Sequence, residues 1–151
     1  MDAMESECAE SLKQAQAKLA KALKDFKLTK RMHLKELSAF IKPPPSLIPC
    51  FRAALILKGV PRAEKAEWEA IKADLKKENY INDFIALIER EKNNLVATRM
   101  NKLAKITKLP ELTADKMRNA SLFAAQIYSV VLAVEAYYEA KVQAKLVNEK
   151  I

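Results

Sequence analysis

Lys24, Lys27, Arg31 and Lys35 recur at spacings of three and four, so on a single helix they fall within an arc of about 80°. Cations gathered on one face attract an anionic partner, speed encounter and make binding salt-sensitive. Phe26, His33, Leu37 and Ile41 take the opposite side of the same wheel, which predicts a packing face behind the basic one. Lys30 falls among those apolar positions, so either its stem snorkels or the helix breaks nearby. A second basic stretch holds Arg99, Lys102, Lys105, Lys108, Lys116 and Arg118 against Glu111 and Asp115 alone. Each of these cations taken singly is also readable as a solubilising charge, since an exposed pair is worth only about 0.2–1 kcal/mol.

Bond-making chemistry finds little footing. The single glycine, Gly59, cannot build a phosphate-cradling loop. The single histidine, His33, lies beside leucines and reads as structural. Cys8 and Cys50 lack metal-ligand spacing and any neighbouring pattern that activates a thiolate, and they predict reduced thiols in an intracellular protein. Acidic residues are scattered at the i,i+4 spacing of solvated helix faces. The expectation is a binding protein with no catalytic residues, no metal and no cofactor.

The elements that carry these residues are all predicted to be helical. The 151 residues are dominated by Ala, Leu, Lys and Glu, a mix that favours helix over hairpin turns. No proline or glycine interrupts Glu5 to Ile41, which predicts one helix roughly 55 Å long. Leu12, Ala15, Leu19, Ala22 and Phe26 follow the 3-4-3-4 spacing of a coiled-coil seam, while Leu23, Leu34, Leu37 and Ile41 fit an offset register. A second long helix is expected from a Thr113 cap to the C-terminus, with Tyr137, Ala140, Ala144, Val147 and Ile151 as its seam. Two such helices at opposite ends of the chain pair most simply as an antiparallel hairpin.

Short helices are expected between them. Pro43, Pro44 and Pro45 stop the first helix. Ser46 is expected to cap a helix through Lys58 that Gly59 ends. Pro61 opens a helix carrying Trp68, Ile71 and Leu75; Ile81, Phe84, Ile85 and Ile88 mark another; Leu95, Met100, Leu103 and Ile106 mark a further one before Pro110. Together with Phe51, Leu55, Phe123 and Ile127 these faces predict one core. The predicted fold is all-α, a small bundle of about six helices on an antiparallel two-stranded coiled-coil stalk, with stalk strands at 1–26 and 136–151 and the head at 27–135.

A formal charge of +8 and a pI near 9.5 call for an acidic partner: nucleic acid, anionic membrane or an acidic protein surface. The charge is placed unevenly. Residues 1–20 carry four acids and two bases, and 135–151 carry three of each, whereas 21–35 set six cations against Asp25. The positive field is therefore expected at the head. The longest uncharged run, Asn119 to Val134, is shorter than the roughly 20 apolar residues a membrane span needs, so no membrane passage is expected. The acidic start, with Asp2, Glu5 and Glu7, argues against a secretory leader.

Four segments taken in order carry a resemblance. Lys30 to Pro44 reads KRMHLKELSAFIKPP, with a basic pair before His-Leu and a Pro-Pro stop; Leu55 to Gly59 is a Leu-rich helix end closed by glycine. Trp68 to Ile81 reads WEAIKADLKKENYI, and Asn119 to Leu122 reads NASL ahead of an apolar, tyrosine-bearing run to Ala140. Over roughly residues 25–140 the chain resembles the stalk microtubule-binding domain of dynein heavy chains. It lacks the proline that this family carries in each stalk strand, near Ala17 and Leu146 here, and has Asn119 where the family has a basic residue.

The resemblance implies a microtubule-binding stalk tip whose affinity is set by coiled-coil register. The partners implied are α/β-tubulin and the rest of a dynein heavy chain, including an ATPase ring outside this sequence, with no nucleic acid or membrane. The implied location is the cytoplasm and its cytoskeleton, or the axoneme of a cilium or flagellum. Carried over residue by residue, the resemblance nominates Lys30, Arg31 and Lys35, then Lys72 and Lys77, then Lys116, Arg118 and Asn119 as contacts. Charge and position add Lys27 and Lys76. Asp115 is a candidate affinity switch, pairing with a first-helix lysine in the weak state, or else simply an acid favoured by the helix dipole after Thr113. A basic helical module that binds nucleic acid through the same lysines, or a generic coiled-coil scaffold, are the alternatives.

Overall fold

The structure is a computed structural model, and it describes the backbone of residues 3–29 and 31–149 and the side chains of residues 7–29 and 32–146. Among these residues there are eight α-helices and no strand. In order they are α1 (Ala3–Lys27), α2 (Arg31–Ser38), α3 (Leu47–Leu57), α4 (Trp68–Leu75), α5 (Tyr80–Glu91), α6 (Ala97–Thr107), α7 (Ala114–Ala120) and α8 (Leu122–Glu149).

The two end helices pack along each other in opposite directions. Phe26 near the end of α1 meets Phe123 near the start of α8, with ring centroids 5.4 Å apart. At the other end, residues between Glu7 and Lys18 share a cleft with residues between Ala136 and Gln143. Leu19, Leu23 and Phe26 are buried in that pairing, with Ala15, while Leu12 and Ala22 are partly covered. The buried set thus mixes residues from both registers read in the sequence. On α8, Tyr137 is buried and Ala140 packs against the core; the seam positions Val147 and Ile151 lie outside the described residues.

The expected single helix from Glu5 to Ile41 is interrupted. α1 stops at Lys27, the Leu28 N–H is shared between the carbonyls of Lys24 and Asp25, and the Thr29 N–H tightens onto Phe26 O at 3.0 Å. The Thr29 hydroxyl also donates back to Asp25 O at 3.5 Å, a local bond that competes with the helix ladder. A continuous helix would carry Lys30 onto the stripe of Phe26 and Leu37, both wholly buried, and desolvating an ammonium there costs more than an interrupted turn. α2 then ends at Ser38, so Ile41 lies beyond it and is exposed, not packed as expected.

The expected last helix is also divided. Thr113 does cap α7, its hydroxyl accepting the Lys116 N–H at 3.2 Å. Ser121 is extended, with φ −169° and ψ 131°, and it starts α8 afresh: its hydroxyl accepts the Ala124 N–H at 3.2 Å. The residue type and its place before an apolar run are an ordinary N-cap signal.

The middle of the chain follows the sequence punctuation with local differences. Gly59 closes α3 at φ +77°, and the paired end bonds run from Gly59 N–H to Ile56 O and from Val60 N–H to Leu55 O. A Cβ at this position would meet the Arg99 guanidinium at 3.2 Å, so glycine serves both conformation and space here. Ser46 makes no side-chain cap to α3, because its own backbone is already helical, with φ −69° and ψ −21°. Pro61 leads into a short 3-10 turn over Ala63–Lys65, and α4 begins only at Trp68. Leu95 precedes α6 and is partly buried against the core.

The faces named in the sequence do meet in one core. Phe51, Leu55, Trp68, Ile71, Leu75, Phe84, Ile88, Met100, Leu103, Ile106, Phe123 and Ile127 are all buried together. Trp68 Nε1 donates to Phe40 O at 2.9 Å, and Arg52 Nε to Ala66 O at 2.7 Å, which fastens the connecting segments to this core. Cys50 is buried with its thiol directed at Ala124 O, and burial pushes that thiol well above its ordinary pKa.

The two long helices are held by different forces. α8 is tied to the preceding elements by directional bonds: Tyr128 OH to Leu112 O at 3.1 Å, Thr107 Oγ1 to Glu135 Oε2 at 3.0 Å, and Tyr137 OH and Lys141 Nζ both to Asn93 Oδ1 at 2.7 Å. Burial raises the Glu135 carboxyl above its usual value, with the Thr107 hydroxyl and Lys108 opposing. Among the described residues, the side-chain hydrogen bond of α1, Gln14 to Glu10, stays within the helix, and α1 meets the other elements through apolar packing.

Asn93 is therefore expected to act as a clasp. Asn93→Ala should lower stability to denaturant by about 1 kcal/mol, because the part-buried Tyr137 hydroxyl loses its acceptor. Tyr137→Phe should cost a similar amount, and the double variant less than the sum of the two. Strict additivity in urea titrations would show that the two groups do not act together.

Candidate functional site

The nominated cations divide into groups by position. At the end of α1, Lys27 lines a cleft with Thr29, Leu34 and Lys77, together with residues 79–82 at the entrance to α5. Lys35 on α2 lines an adjoining cleft with Leu34, Ser38, Leu75, Lys76, Lys77 and Glu78. The two clefts share Leu34 and Lys77, so four nominated lysines from three separate chain segments line two neighbouring clefts, Lys27 in the first, Lys35 and Lys76 in the second and Lys77 in both.

Helix endings place these side chains. α1 delivers Lys27 in its last turn and α2 delivers Lys35 in its own, where a cation also favours the carboxyl end of the helix. α4 ends at Leu75 with Lys76 as its C-cap, whose N–H returns to Lys72 O at 3.0 Å. Asn79 adopts the left-handed conformation at φ 62°, one of the few non-glycine types that does so readily, and reverses the chain into α5. Lys76 and Lys77 thus stand on a tight turn with their side chains exposed. Lys72 is half-buried one turn earlier.

Beneath this turn lies an ion cluster that sequence reading missed. Asp74 is the one buried charged residue among those described. Both its oxygens accept Lys58 Nζ at 2.7 Å, and Lys77 Nζ reaches Oδ1 at 3.1 Å. Lys58 Nζ also stands 5.1 Å from the centroid of the Tyr80 ring. Burial, with the nearby Asp74 charge, holds the Tyr80 hydroxyl well above its ordinary pKa. The i,i+3 spacing of Asp74 and Lys77 was visible in the sequence, but the Lys58 partner sixteen positions away was not.

The third group lies on α7. Lys116 Nζ donates to Pro110 O at 3.2 Å, Arg118 pairs with Asp115 one turn away, and Asn119 is exposed. Neither cleft is lined by these residues. Asp115 therefore faces Arg118 on its own helix in this structure, with both side chains largely in water, where such a pair contributes little to stability. Lys30 lies outside the described residues, as does the side chain of Arg31.

His33 is half-buried and its Nδ1 lies 4.0 Å from Glu36, one turn along α2. Among the described residues no group of three or more His, Cys, Asp or Glu is disposed to hold a metal ion, and no helix is long and apolar enough to cross a membrane. Cys8 and Cys50 are both free thiols. No protein-family model matches the chain, and no curated protein matches it. The class defined by fold and surface together is an all-helical protein with a cationic, cleft-bearing face.

Proposed function

We propose that this chain is the microtubule-binding tip of a dynein stalk. In this reading residues 27–135 form the head, and 1–26 and 136–151 form two strands of an antiparallel coiled coil continuing toward an ATPase ring. The observation that carries it is the meeting of Lys27, Lys35, Lys76 and Lys77 around adjoining clefts, since a basic surface built from separate segments suits an extended acidic lattice. The order and spacing of the four sequence segments support the same reading, as do the long helices that pack along each other in opposite directions.

Affinity control through strand register follows from the same proposal. The seam is rich in alanine and combines two registers, which keeps alternate pairings close in energy. α8 is bonded to Leu112, Thr107 and Asn93, whereas the described side chains of α1 meet other elements through apolar contacts, which supports α1 as the sliding strand in this proposal. A tenfold change in affinity needs only about 1.4 kcal/mol of coupling.

Pelleting with microtubules tests the proposal. Lys27→Ala combined with Lys35→Ala is expected to weaken binding about tenfold at low salt and progressively less as salt rises, in keeping with screened surface charges. Binding of the chain to RNA but not to microtubules would reject the proposal in favour of a nucleic-acid module.

A further inference from the structure

Arg99 and Lys102 belong to a basic stretch that the docking surface proposed above does not use. With Arg62 they line a cleft of about 270 Å³ between the start of α6 and the turn that follows α3, and Lys27, Lys35, Lys76 and Lys77 have no part in its wall. Arg99 is half-buried, and its guanidinium lies against that turn: a Cβ at Gly59 would meet it at 3.2 Å, so glycine leaves the room that the fork occupies. Among the described residues the arginine side chains that donate hydrogen bonds are Arg52, Arg90 and Arg118, so Arg62 and Arg99 make none. Neither they nor Lys102 forms an ion pair. No buried side-chain N or O atom among those residues lacks a partner, so the unpaired N–H groups of Arg99 reach water.

Arg62 adds backbone strain to this picture. It holds φ at +58°, and the other non-glycine residue with positive φ is Asn79, a type that adopts such angles readily, as arginine does not. Strain of this kind collects at ligand clamps. The wall sets three cations against one carboxylate, Glu64, and so carries two net positive charges. Asp74, in a neighbouring cleft that shares Val60, Pro61 and Arg62, is already held by Lys58 and Lys77. A carboxylate or a phosphodiester brings a single negative charge, whereas a phosphate monoester brings about 1.5–2 at neutral pH and three terminal oxygens that guanidinium forks engage in pairs. We propose that this cleft binds a phosphate monoester, with Arg62 and Arg99 on its oxygens and Lys102 as the remaining countercharge. Sites that enclose a whole small molecule run to roughly 300–1,000 Å³. This one is smaller, so it recognises the phosphate more than its carrier, which is either a free ester or a phosphorylated side chain. The proposal does not depend on the microtubule reading.

Titration of the full chain with methyl phosphate, followed by NMR, tests it. The amide of Gly59 and the side-chain Nε signals of Arg62 and Arg99 are expected to shift saturably. Dimethyl phosphate and acetate at matched ionic strength should bind at least about tenfold more weakly. Arg99→Lys keeps the charge but loses the fork, and should weaken methyl phosphate at least about fivefold. Arg62→Gly should weaken it as much while melting no lower than wild type, because glycine relaxes the left-handed backbone; it stands alone as the test if Arg99→Lys unfolds. Lys27→Ala with Lys35→Ala, which alters the other clefts, should leave phosphate binding unchanged. A short neutral peptide bearing one phosphoserine identifies the carrier: the same shifts assign the site to phosphorylated side chains, and binding of methyl phosphate alone assigns it to a free ester. Shifts that never saturate, equal binding of dimethyl phosphate or acetate, or wild-type affinity in the folded arginine variants would overturn the proposal and leave the microtubule reading untouched.

Discussion

Replacing Phe123 with Ala is expected to lower the free energy of unfolding by about 4 kcal/mol, the scale of a large-to-small change at a closed aromatic site. Phe123 is wholly buried, and its ring lies 5.4 Å from Phe26, 5.9 Å from Tyr80 and 6.4 Å from Phe51. Those rings come from α1, α5 and α3, so one side chain on α8 joins four helices. Two of these neighbours are held in turn by further rings, Phe26 at 5.7 Å from Phe84 and Phe51 at 6.5 Å from Trp68, which limits how far they can collapse into the space. In a domain stable by only about 5–15 kcal/mol, that loss leaves little in reserve. Urea titration followed by Trp68 fluorescence measures it, and a loss below about 1 kcal/mol would show that the ring cluster does not bear the load assigned to it. Phe123→Leu, which retains most of the volume, should cost much less.

The second large effect is expected at Asp74. Asp74→Ala should cost about 3 kcal/mol, because it removes the counter-charge of Lys58, whose side chain is only 20 % exposed and held at 2.7 Å. The cost arises from the ammonium left behind, more than from the bond itself. Adding Lys58→Met to Asp74→Ala should therefore recover much of the loss, since removing both charges leaves neither uncompensated. Lys77→Ala is the control: that side chain is 69 % exposed, and its removal should be nearly neutral for folding. If the double variant were as unstable as the sum of its parts, Asp74 would matter for packing and not for charge. The cluster also holds the end of α4 beneath the turn that presents Lys76 and Lys77, so a weakened Asp74 variant is a test of how rigid that part of the basic face must be.

Composition and punctuation determined a great deal. The scarcity of glycine and the Ala-Leu-Lys-Glu background dictated an all-helical chain, because helix propensity and breaker placement act through neighbours a few residues apart. Gly59 ended α3, Thr113 capped a helix, and the apolar faces of α4, α5 and α6 were read correctly as one core for the same reason. The clustering of cations near residues 21–35 was equally plain in the sequence.

Only the tertiary structure decided where the long helices break and which charges meet. No glycine or proline marks the interruption after Lys27, where the Leu28 and Thr29 N–H groups turn back onto the last carbonyls of α1 while Phe26 and Leu37 on either side of the break are both buried. Ser121 carries an ordinary N-cap signal, but that the chain breaks there, with Ser121 extended and its hydroxyl accepting the Ala124 N–H, is shown by the structure. The pairing of Lys58 with Asp74 and of Asn93 with Tyr137 spans 16 and 44 positions, beyond the reach of any local pattern. Local propensity carries no term for such contacts: they form when burial brings distant segments together, and whether Leu28 and Met32 are covered or left in water is settled at that same step.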